Sequence, residues 1–234
     1  MSVTLPQVAP VASGERFRDR GQVLYAFLLD GCEARCPSCR AAARVTYSQA
    51  GPWTWIARFR CGQCALSADS APSRLYSSFV LDEESAWFGP IHATGRRACG
   101  RCGAKWVQAR ARRIGGGRHH PATLPAECPR CGHAQPVAVR WYPHHDAAEG
   151  VEPLLGLALV LREAVGAGRE VWAFNHAHLQ ALKAYVGARL RERACDHQRS
   201  YFMRLPAWIK SAKQRDDVLA AITRIERRTT GQGD

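Results

Sequence analysis

Four Cys-x-x-Cys pairs, strand-like stretches within each set of pairs, and a C-terminal half without paired cysteines but with helical periodicity predict a small metal-bound α+β chain. The expected architecture is two tandem four-cysteine zinc ribbons of antiparallel strands, followed by a small, mainly helical domain. In residue numbers this divides the chain into an N-terminal segment with the first ribbon (1–86), a second ribbon (87–143) and a helical domain (144–234).

The pairs are Cys36-Pro-Ser-Cys39, Cys61-Gly-Gln-Cys64, Cys99-Gly-Arg-Cys102 and Cys128-Pro-Arg-Cys131. A tight turn carrying Cys-x-x-Cys points two thiolates at one ion, and two such turns complete a tetrahedral shell of four sulfurs. Gly or Pro in or just after each pair (Pro37, Gly62, Gly100, Gly103, Pro129, Gly132) suits that turn. The predicted ligand sets are therefore Cys36/Cys39/Cys61/Cys64 and Cys99/Cys102/Cys128/Cys131, with two Zn2+ ions per chain. Four thiolates close the shell, whereas a catalytic zinc keeps one position open, so both ions are expected to be structural and the chain is not expected to be an enzyme. Cys32, four residues before Cys36, is either a substitute ligand or a buried thiol, and the turn spacing favours Cys36. Cys195 stands alone in the C-terminal half and reads as a free thiol.

Between Cys39 and Cys61, residues 44–48 and 53–60 look like two strands around a Gly51-Pro52 turn. Trp53, Trp55, Ala57 and Phe59 alternate onto one face; Thr54, Arg58 and Arg60 take the other. The second set repeats the plan, with a strand over 105–112, a break at Gly115-Gly-Gly117 and a further strand over 136–142. In the C-terminal half, Pro153–Val165 is an apolar helix or buried strand, and Val171–Phe174 is extended. Asn175 is placed to cap a helix over 176–193, whose stripe is Leu179, Leu182, Val186 and Leu190. Leu205-Pro-Ala-Trp-Ile209 starts a short helix with Pro206 at an early position, and a last helix runs over 216–228.

Charge bears on partners rather than on fold. The 33 Lys and Arg outweigh the 20 Asp and Glu, for a formal net charge of +13. Eight basic residues and no acidic one fall within 96–118: Arg96, Arg97, Arg101, Lys105, Arg110, Arg112, Arg113 and Arg118. Arg-rich clusters suit bidentate phosphate contact, so nucleic acid is the leading expected partner. Trp53, Trp55 and Trp106 either stack on unpaired bases or fill the ribbon cores. An immunity or adaptor role, docking an acidic protein, is the alternative. No run of about 18 apolar residues suggests a membrane span, and no secretory leader is recognisable at the start, so cytoplasmic residence is the expectation. His119-His120 and His144-His145 read as solvated loop histidines. No Ser-His-Asp order, paired-carboxylate motif or P-loop stands out.

The knuckles, taken with Trp172-Ala-Phe-Asn175, His178-Leu179, Tyr185-Val186, Leu190-Arg-Glu192, Leu205-Pro-Ala-Trp-Ile209 and Lys213-Gln-Arg215, resemble a poorly characterised group of bacterial zinc-ribbon proteins. The group is named for its likeness to the ribbon of basal transcription factors. The resemblance implies a ribbon fold over the cysteine half and kinship over the remainder, without implying an activity.

Overall fold

The computed structural model describes residues 16–75, 79–81, 85–113, 120–144, 150–166, 168–193 and 200–230. Strand β1 (Arg16–Asp19) and helix α1 (Leu24–Leu29) lead into β2 (Cys32–Arg35), β3 (Ala42–Gly51), β4 (Thr54–Arg60) and β5 (Ser67–Asp69), which form one antiparallel sheet in that order. In the β3–β4 hairpin Val45, Ala57 and Phe59 are buried while Thr46, Arg58 and Arg60 are exposed. Trp53 departs from the expected face. The hairpin closes on the Gly51–Thr54 pair, so Trp53 is a turn residue with φ 59° and is 69% exposed.

Next come β6 (Ile91–Arg97), β7 (Val107–Arg113), β8 (Thr123–Glu127), β9 (Ala134–Ala138) and β10 (Arg140–Pro143). They make two layers, a β10-β6-β7 sheet and a β8-β9 hairpin. The strand expected over 136–142 is split between the layers: Val139 donates to the Ala122 carbonyl (3.0 Å), and the chain changes sheets there. Val107, Ala109 and Val137 are buried together between the layers, packed against the half-buried Leu124. The layers approach closely at Gly95, where a Cβ would overlap the Ala138 carbonyl oxygen.

The apolar run after Pro153 is neither helix nor long strand. It is a buried loop folded around Glu152, whose carboxylate accepts from the amides of Leu154 (3.0 Å) and Leu155 (2.5 Å) and from the Tyr47 hydroxyl (2.8 Å). Strands β11 (Arg162–Ala164) and β12 (Glu170–Trp172) follow, then α2 (His176–Gly187), β13 (Leu190–Arg193), α3 (Tyr201–Arg204), α4 (Ala207–Lys210) and α5 (Arg215–Thr230). Asn175 caps α2 as expected, accepting from the His178 amide (2.9 Å). Its side-chain amide also donates to the carbonyls of Phe27 and Gly31, tying α1 to α2. The helix expected to reach residue 193 stops at Gly187, because Leu190–Arg193 pairs in parallel with Arg16–Asp19.

The chain is thus mixed α+β, with antiparallel ribbon sheets and helices concentrated after residue 175. Burial does not follow linear order. One cluster joins Phe17, Phe27, Cys32, Val45 and Phe59 to Leu154–Leu161, α2 and α5, whereas residues 81–141 contribute two smaller clusters of their own.

Candidate metal centres and the basic sheet face

All four cysteine pairs sit on one kind of turn. The amide of the first cysteine donates to the carbonyl five residues on: Cys36 to Ala41 (2.8 Å), Cys61 to Leu66 (2.8 Å), Cys99 to Ala104 (2.9 Å) and Cys128 to His133 (3.0 Å). The residue four positions on is left-handed in every case, at Arg40 (φ 65°), Ala65 (φ 59°), Gly103 (φ 66°) and Gly132 (φ 69°). That reversal points both sulfurs of a pair to one side of the turn.

The turns meet in the predicted sets. Within each set the four Sγ atoms all lie within 4.8 Å of one another. Cys36–Cys64 and Cys39–Cys61 are 3.5 Å apart, and Cys99–Cys131 and Cys102–Cys128 are 3.7 Å apart. A tetrahedron with metal–sulfur bonds of about 2.3 Å has edges of about 3.8 Å, so each cluster fits one ion. The turns also stabilise thiolate. Backbone N–H groups of Cys64 and Gln63 point at Cys61 and pull its thiol down to about 6. Those of Cys102 and Arg101 do the same for Cys99.

Cys32 is not a ligand in this arrangement. It is fully buried on β2 among Tyr47 and Glu152, and burial pushes its thiol well up. Cys195, Arg118, His119 and His145 lie outside the described residues. His120 packs on Trp141 and His144 on His92, and neither belongs to a cysteine cluster. Sequence reasoning missed Gln135, a buried side chain that braces the second centre: its amide donates to the Ala98 carbonyl (3.0 Å), and its carbonyl accepts from the Gly100 amide (2.9 Å). A buried amide on β9 has no signature in spacing.

The structure divides the predicted basic cluster. Alternation along β6 and β7 places Arg96, Arg110 and Arg112 on the outer face of the β10-β6-β7 sheet, opposite the buried Ile91, Ala93, Val107 and Ala109. Arg97 and Arg113, also exposed, lie toward the opposite side of the sheet, where Arg97 donates to the Pro136 carbonyl (3.3 Å) and Arg113 lies 4.8 Å over Trp141. Arg101 and Lys105 are exposed at and after the first knuckle. The outer face also gains Arg140, Tyr142, His92, Thr94 and Gln108, which the sequence reading did not assign. For Arg140 and Tyr142 the signal was the alternation of 138–142, legible only once β10 is known to pair with β6. None of these eight outer side chains is acidic. Trp106, half exposed at 50%, stands at the head of β7 with the Arg96 guanidinium 4.5 Å and the Lys105 ammonium 5.3 Å from its ring.

Comparison with protein-family models, curated proteins and solved structures gives no match. The likeness to zinc ribbons therefore rests on the two four-cysteine clusters and the antiparallel sheets that carry them.

Proposed function

We propose that this chain is a non-enzymatic nucleic-acid-binding protein whose two cysteine clusters hold structural zinc and whose contact surface is the outer face of the second ribbon. Soft thiolates in tetrahedral array suit Zn2+, which brings no redox chemistry of its own. Nine reduced cysteines among the described residues suit a reducing compartment such as the cytoplasm.

The observation that carries the reading is the gathering of Arg96, Arg110, Arg112 and Arg140 on one sheet face, whose described strand residues include no carboxylate. Residues 91–144 hold ten Lys or Arg and one acid, Glu127, so the local field favours a polyanion. An acidic protein partner would be steered by the same field, and salt dependence separates the two.

The test is to purify the full chain without added metal, count metal ions and titrate the protein with labelled nucleic acid across a range of salt. Two zinc ions per chain and an affinity that falls steeply and linearly on a log–log salt plot are expected. Replacing Arg110, Arg112 and Arg140 together with Ala should flatten that slope by about 0.7–0.9 for each phosphate that the variant no longer neutralises. Binding that ignores those three arginines would remove this face as the contact surface, and no binding at low salt would remove nucleic acid as the partner.

A further inference from the structure

Resting on the reading that this face binds nucleic acid, we infer that its ligand is a single-stranded polynucleotide, laid along the β10-β6-β7 sheet with a base stacked on Trp106. The phosphate and unstacked-base repeat that the surface would recognise is shared by DNA and RNA.

Register sets the layout. Tyr142, His92 and Arg112 form one cross-strand row, Arg140, Thr94 and Arg110 the next, and Arg96 with Gln108 a third. Successive rows lie two residues apart, about 6.6 Å, so the track from Arg112 to Trp106 is about 20 Å long. Each row offers at least one guanidinium, and the rings stand at its two ends. At one end Tyr142 and His92 are stacked, with centroids 5.6 Å apart. At the other, the Arg96 guanidinium and the Lys105 ammonium lie over the ring of Trp106, a residue that stays half exposed.

This pattern fits a single strand better than a duplex. Cations along a track meet the backbone of either form. A ring between those cations gains only from a base whose face is open, which a duplex does not offer. Duplex readout instead inserts a helix or a protruding ribbon into a groove about 12 Å wide. Here the basic groups lie on one face of a three-stranded sheet.

The test uses the full-length, zinc-loaded protein and three probes of about twelve nucleotides, an oligothymidylate, an oligouridylate and a mixed-sequence duplex, read by fluorescence anisotropy at several salt concentrations. At least one single strand is expected to bind about tenfold or more tightly than the duplex, and the preferred strand identifies DNA or RNA as the source. Trp106→Ala should weaken single-strand binding by roughly five- to 150-fold, the range expected for removing one base stack, and leave the salt slope unchanged. Trp106→Phe, which keeps a stacking face, should restore most of that affinity; two zinc ions per chain verify the fold of each variant. Duplex affinity equal to that of both single strands, or indifference to Trp106→Ala, overturns the single-strand inference while leaving nucleic-acid binding in place. Failure of all three probes to bind overturns both.

Discussion

At the scale of single residues, the four knuckles share a backbone requirement that the sequence meets unevenly. The left-handed position is glycine in the second ribbon (Gly103, Gly132) and Arg40 or Ala65 in the first. A left-handed residue with a Cβ costs about 1–2 kcal/mol, partly offset by the entropy that glycine loses on folding. Arg40→Gly and Ala65→Gly should each stabilise the protein by about 0.5–1 kcal/mol, read as a higher denaturant midpoint in the zinc-loaded form. A midpoint that stays or falls for both would mean that neither site is strained.

His178 presents a different residue-scale problem. Its ring is fully buried, stacked 4.6 Å from Phe27 and close to Trp172 and Tyr201; Nδ1 accepts from the Phe174 amide (3.2 Å), and Nε2 meets no partner among the described residues. Burial holds its imidazole down at about 3. A base depressed on folding is protonated first in the unfolded chain. Its contribution to stability is therefore complete above the ordinary imidazole value near 6.5 and is lost as pH falls from there toward 3. The expected slope is roughly 1.4 kcal/mol per pH unit between about 6 and 4. Metal held by the cysteine clusters would also be released in acid, so the check is the difference in slope between the native protein and His178→Phe, which keeps an aromatic ring at that position. Equal slopes would show that His178 is not the titrating group.

At the scale of elements, the second ribbon depends on how closely its two layers approach. Gly95 faces the Ala138 carbonyl at a distance no Cβ tolerates, and the strand change at Val139 fixes that carbonyl in place. Gly95→Ala must push β9 away from β6, which also carries Gln135 off the Ala98–Gly100 turn. A loss of roughly 1–3 kcal/mol is expected, with faster zinc transfer to a chelator from the second centre than from the first. An unchanged transfer rate would show that the layers adjust without disturbing the knuckles. Much at this scale was readable in advance. The β3–β4 alternation, the Asn175 cap and α5 follow from local pattern, because residues close in sequence settle them. The end of α2 did not, since β13 exists only by pairing with β1 at the far end of the chain.

At the scale of the whole molecule, the two four-cysteine clusters are not equivalent. Cys36 and Cys61 belong to the same buried cluster as α2 and α5, whereas Cys99 and Cys128 belong to a small cluster of their own. Cys39→Ser should therefore loosen the C-terminal helices as well as the first ribbon, while Cys102→Ser should disturb residues 91–144 and leave the helices protected. Hydrogen exchange on the full chain reads the contrast directly. Equal protection of α2 and α5 in the two variants would show that the shared core holds without its metal. By the same argument a fragment of residues 79–144 is expected to fold with one zinc ion, and a fragment ending at residue 86 is not.

By itself the sequence determined which cysteines gather into the two four-cysteine clusters, the β3–β4 hairpin, the capped helix and the basic character of residues 96–118. Each of these is written in spacing, turn chemistry or charge within a few tens of residues. Only the tertiary structure decided that Cys32 is a core thiol beside Glu152, that the first ribbon shares its core with the C-terminal helices, and that Arg96, Arg110 and Arg112 share a sheet face with Arg140 while Arg97 and Arg113 lie toward the opposite side. Those outcomes depend on which distant strands and loops pack together, and the free energy that selects such packing comes from apolar burial, which is non-directional and leaves little trace in local pattern.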